Sequence, residues 1–93
     1  EKLTYIIQAI NLFEEKFGIR ILFALFKARE REVHLYTEKS FYVMIDMERD
    51  LKVQIEKLKK ALPKLDIYKE PLLYIDLRIS GTENEKVIFK PKK

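Results

Sequence analysis

The period of the hydrophobic pattern changes three times along these 93 residues, from helical to alternating, back to helical and back to alternating. That succession limits the fold more than any single residue does. Leu3, Ile6, Ile7, Ile10, Phe13 and Phe17 recur at three-to-four spacing, which predicts a helix with one apolar stripe, closing at Gly18 in the left-handed position. From Ile19 to Ala28 apolar residues occupy both alternating sets, the pattern of a central strand covered on both faces. Glu32 to Thr37 alternates strictly, with Val33, Leu35 and Thr37 on one side and Glu32, His34 and Tyr36 on the other. After the polar turn Glu38-Lys39-Ser40, Phe41 to Asp46 places Phe41, Val43 and Ile45 on one face, so the two runs predict an antiparallel hairpin. Residues 19 to 46 thus read as a three-strand meander.

The helical period returns between Asp46 and Leu62. Leu51, Ile55, Leu58 and Leu62 share a face, Glu48 and Asp50 suit the positive end of the helix dipole, and Lys57, Lys59 and Lys60 suit the negative end. Pro63 cannot continue the hydrogen-bond ladder and stops the helix near Ala61 or Leu62. After a linker through Pro71, the run Leu72 to Ile79 sets Leu73, Ile75, Leu77 and Ile79 against Tyr74, Asp76 and Arg78. A polar loop, Ser80 to Glu85, leads to a last short strand, Lys86 to Lys90, where Pro91 is expected to end pairing. The prediction is one α+β domain over residues 1–93, in the order α-β-β-β-α-β-β. It has a mainly antiparallel five-stranded sheet and two helices packed on one face. A chain that opens at Glu1 directly in helical periodicity reads as a fragment of something longer.

Composition removes several function classes. There is no cysteine, so disulfides, thiolate metal sites and cysteine nucleophiles are excluded. With glycine only at positions 18 and 81, a phosphate-cradling loop cannot be built, and no cofactor is expected. His34 is the sole histidine, without the spacing of a metal site, and is expected on the surface. Neither Ser40 nor Ser80 sits in a nucleophile elbow, and the carboxylate pairs Glu14-Glu15 and Glu30 with Glu32 fall on faces expected to be solvated. The chain is therefore expected not to be an enzyme. Asp76 and Arg78, two apart on a strand, read as an ion pair on the outer sheet face. The tyrosines and phenylalanines include no base-stacking motif and are expected in the core or at its margin.

The net charge of +4 is not spread over the domain. Residues 1 to 85 carry fifteen basic and fifteen acidic side chains, so the excess lies in Lys86, Lys90, Lys92 and Lys93. Four lysines on one terminal segment make a weak phosphate-binding stripe, which leaves a nucleic-acid-binding module using this cluster as the rival reading. The alternative is that a terminal strand is a sheet edge whose lysines either discourage aggregation or frame the docking of an acidic partner strand.

The segment Tyr74-Ile75-Asp76-Leu77-Arg78-Ile79, a turn, and Lys86-Val87-Ile88-Phe89-Lys90-Pro91 together resemble the closing part of the FtsQ/DivIB bacterial cell-division proteins. The hairpin EVHLYTEKSFYVMID and the helix ending LKKALPKL extend the resemblance over nearly the whole chain. It implies the extracytoplasmic β-domain of a bitopic protein of the cytoplasmic membrane at the division septum, with its anchor and POTRA domain lying upstream. It also implies a non-catalytic scaffold that binds FtsB/DivIC- and FtsL-type partners by strand addition at its last strand. On this basis the partner-binding residues are Arg78, Ile79, Lys86, Val87, Ile88, Phe89 and Lys90, with Phe89 as the apolar anchor and the lysines facing acidic partner residues.

Overall fold

The computed structural model describes residues 2–69, 71–78 and 88–92. The element order is that predicted: α1 (Lys2–Phe17), β1 (Ile21–Lys27), β2 (Glu32–Thr37), β3 (Tyr42–Asp46), α2 (Leu51–Ala61), β4 (Leu72–Asp76) and β5 (Ile88–Pro91). The strands form one mixed sheet in the order β1-β2-β3-β4-β5. Neighbours are antiparallel except β3 and β4, which run parallel because α2 carries the chain back across the sheet between them.

Both helices lie against the same face. Phe13 and Phe17 of α1, Ile55 and Leu58 of α2, and the alternate residues Val33, Leu35, Val43 and Ile45 of the hairpin share one buried cluster. Gly18 closes α1 as expected: at a φ of 67° its amide donates to the Glu14 carbonyl at 2.8 Å. The second helix begins later than its period suggested. Asp50 is its N-cap, outside the first turn, and accepts a hydrogen bond from the Val53 amide at 3.1 Å. Residues 46 to 50 form the preceding turn, where Gln54 clamps the end of β3. Its Oε1 accepts from the Asp46 amide at 2.8 Å, and its Nε2 donates to the Asp46 carbonyl at 2.9 Å.

Three expectations are corrected. β1 is an edge strand, not a central one: Leu22, Phe23 and Leu25 are 60%, 55% and 42% exposed. Its two-sided apolarity reflects an exposed apolar outer face, not a covering layer. In the fourth strand a register shift between Leu72 and Tyr74 buries Leu72 and turns Leu73 out, so the inner face runs Leu72, Ile75, Leu77 and β4 ends at Asp76. Pro91 does not end pairing. It lies within β5 opposite Leu72, and the next amide, Lys92, donates to the Pro71 carbonyl at 2.9 Å. An edge strand tolerates this because a proline lacking its donor can face solvent there.

Candidate partner-docking edge

β5 pairs with β4 on one side and, among the described residues, has no further strand on the other. Its register places Ile88 opposite Asp76, Phe89 opposite Ile75 and Lys90 opposite Tyr74. Ile88 and Lys90 therefore belong to the outer face, and Phe89 to the face that carries the helices. Every residue of β5 is exposed, Ile88 by 42% and Phe89 by 39%. Beside it, Leu73, Lys90, Pro91 and Lys92 line a shallow groove of about 570 Å³. Unpaired backbone groups, two exposed apolar side chains and two lysines at the lip of a groove are the parts from which strand addition is built. Of the residues predicted to bind a partner, Ile88, Phe89 and Lys90 come together here. Ile79, Lys86 and Val87 lie outside the described residues.

The Arg78 guanidinium is already engaged. Nε and Nη2 donate to the two Asp76 carboxylate oxygens at 2.9 and 2.7 Å, and Nη1 donates to both Glu32 oxygens at 3.0 and 2.9 Å. Its carbonyl accepts from Arg49 at 2.9 Å. The ion pair expected between Asp76 and Arg78 is present and is part of a larger network. Burial works to raise the Asp76 carboxyl, but the hydrogen bonds and charge of Arg78, with Lys57 beyond, hold it below the usual carboxylate range. The same hydrogen bonds raise the Arg78 guanidinium further above its already high value.

Two expectations about this face are corrected. His34 is buried, not surface-exposed: its Nε2 lies 2.7 Å from Glu32 Oε1, and its ring stacks on Tyr42 at 5.3 Å. Glu32 is likewise buried, at 5% exposure, not solvated. Among the described residues no helix covers these side chains. Cross-strand neighbours do, with Leu25, His34, Met44, Asp76 and Ile88 forming one row across five strands. A histidine hydrogen-bonded to a carboxylate is a component of acid-base sites, but here the same carboxylate is held by Arg78. Among the described residues no group of three His, Asp or Glu side chains could hold a metal ion.

The next row holds a feature that sequence reasoning placed in the core or at its margin. Phe23, Tyr36, Tyr42 and Tyr74 occupy one line across β1 to β4 on the outer face. Successive ring centroids are 4.5, 4.8 and 5.7 Å apart. The signal was available in the alternation: Tyr36, Tyr42 and Tyr74 all fall on the polar set of their strands. No protein-family model matches the chain, and no curated protein matches it.

Proposed function

We propose that the chain is a non-catalytic interaction domain that takes up an extended segment of a partner protein along β5. The observation that carries this reading is the position of β5 as an edge of the sheet among the described residues, exposed along its whole length, with Leu73, Lys90, Pro91 and Lys92 around its groove. The predicted strand order and the Tyr74-to-Arg78 segment support a partner of the kind implied by the FtsQ/DivIB resemblance. That partner is a divisome protein of the FtsB/DivIC or FtsL type, met on the outer side of the cytoplasmic membrane. The engaged state of Arg78 gives it a structural role, leaving Ile88, Phe89 and Lys90 to meet the partner.

The test is a titration of the isotopically labelled domain with a peptide from the region just after the coiled coil of an FtsB/DivIC-type protein, following backbone amide shifts. Shifts concentrated on residues 88–92, lost in Ile88→Pro and weakened in Phe89→Glu, are expected. No shift at millimolar peptide refutes docking at this edge. A parallel titration with single-stranded oligonucleotide addresses the rival reading. Phosphate binding by the lysines falls steeply as salt rises, whereas strand addition responds mildly.

A further inference from the structure

The sheet has a second uncovered edge, and its chemistry differs from that of β5. Phe23 ends the aromatic row at β1, with its ring parallel to that of Tyr36 (9° between planes) and 4.5 Å from it. Tyr36 covers one face of the Phe23 ring, and among the described residues the sheet order puts no strand against the other. At the β1 end of the row the ring spacings, 4.5 and 4.8 Å, are close to the distance of about 4.8 Å between paired strands. A residue on an added strand opposite Phe23 would therefore fall at stacking distance. Leu22 and Leu25 flank the ring, so three exposed apolar side chains lie within four consecutive residues of an edge strand.

Charge identifies the occupant. From residue 20 to 29 the chain carries Arg20, Lys27 and Arg29 and no carboxylate. At the Arg20 end, Glu38 offsets one of these charges, because its carboxylate accepts from the Arg20 amide at 3.1 Å. At the other end Lys27 lies opposite Glu32, whose carboxylate is held by Arg78, and the turn adds Arg29 and Glu30 together with Arg31, which pairs with Glu48 at 2.9 Å. A second copy is a poor fit. Two-fold antiparallel pairing centred on Phe23 or Ala24 sets Arg20 of one copy within a residue of Lys27 of the other, and like charges across strands are destabilising. The α1 carboxylate Glu14 accepts from the Ile21 amide at 2.8 Å, which closes the start of the edge and leaves residues 22 to 27 open.

We infer that β1 is a second docking edge, specific for an extended peptide that sets an aromatic residue opposite Phe23, aliphatic residues at the alternate positions and acidic residues at its ends. The domain then holds two extended segments, one at each side of a single sheet. This inference does not depend on docking at β5.

The probe is the synthetic peptide Asp-Asp-Thr-Val-Thr-Tyr-Thr-Val-Asp-Asp, titrated into the labelled domain, with a second peptide carrying lysine in place of each aspartate. Saturable amide shifts on residues 22–27 are expected, with binding at least tenfold weaker for the lysine peptide. Phe23→Ser and Leu25→Lys are each expected to weaken binding at least tenfold. Both side chains are exposed, so amide dispersion elsewhere should be kept, and Phe89→Glu should leave binding unchanged. Three results overturn the inference. They are no saturable shift on residues 22–27 at millimolar peptide, equal binding of the two peptides, or a dimer in sedimentation whose contacts map to residues 22–27. The Phe89→Glu variant keeps failure here distinct from failure at β5.

Discussion

Replacing Arg78 with methionine removes a cation that hydrogen-bonds both Asp76 and Glu32 and keeps most of the aliphatic stem. Four side-chain hydrogen bonds to carboxylates disappear. The two acids left behind are 6% and 5% exposed, where loss of a cationic partner is costly. Breaking a buried pair costs about 3–5 kcal/mol, but the Arg78 side chain is 39% exposed, so solvent screens part of the interaction. The expected loss at pH 7 is therefore about 3 kcal/mol, equivalent to a fall in Tm of roughly 15 °C for a domain of this size. The pH dependence gives a sharper test. In the native chain the Asp76 carboxyl is lowered, so its contribution is present above the unfolded value near 4 and is lost as pH falls through the folded value. In the variant, burial still acts to raise the Asp76 carboxyl, and the Arg78 hydrogen bonds and charge that oppose it are gone. Its folded state then gains protons before the unfolded chain does, so its stability falls less steeply on acidification. Chemical denaturation followed by circular dichroism between pH 4 and 8 should show the gap between the two proteins narrowing towards pH 4. A cost below about 1 kcal/mol at pH 7 that is constant with pH would show that the network contributes little and that the reasoning is wrong.

Two further outcomes concern the corner where β3 meets α2. Gln54→Leu removes both bonds to the Asp46 backbone and takes from the half-buried Asp46 amide its Gln54 acceptor, so urea denaturation should show a loss of about 2 kcal/mol; a loss within error would mean that water replaces the clamp. The Tyr5 hydroxyl, which donates to the Asp46 or Arg49 carbonyl, is pushed up to about 12 by burial, with the nearby Asp46 and Asp50 charges acting in the same direction. Its folded value lies above the unfolded value near 10, so its contribution is complete below pH 10 and disappears as pH rises towards 12. Relative to Tyr5→Phe, the native chain should lose roughly 2–3 kcal/mol over that interval, and parallel alkaline unfolding curves would contradict the assignment.

The parts of the fold that were legible in the sequence are those fixed by local periodicity. The helical stripe of Phe13 and Phe17, the alternation of Val33 with Leu35 and the stop at Pro63 each depend on residues a few positions apart, and each element formed where its pattern lies. Errors arose where a neighbour distant in sequence decides the outcome. Apolar residues on both faces of Ile21–Lys27 are compatible with a covering layer or with an exposed face, and only the strand order separates them. In the fourth strand the residue facing the core changes from Leu73 to Leu72 because the register with Pro91 shifts, and that pairing joins residues 19 positions apart.

The same distinction governs the outer face. Alternation correctly assigned Glu32, His34, Tyr36, Tyr74, Asp76 and Arg78 to the polar side of their strands, and a polar side is ordinarily read as a wet one. Here it is not, because the sheet aligns these side chains in rows. Glu32 and Arg78 are separated by 46 residues, and their hydrogen bonds close the network around the carboxylate. Glu32, Asp76 and His34 are thereby used to seal one stretch of the outer sheet face, and the aromatic row runs beside them. What remains open are the two ends of these rows: Phe23 and Leu25 at β1, Ile88 and Lys90 at β5. A sheet whose middle is closed by its own side chains and whose two edges keep apolar residues exposed is suited to binding at its edges. Substitutions in the network should therefore reduce stability without changing peptide selectivity, whereas substitutions at either edge should do the reverse.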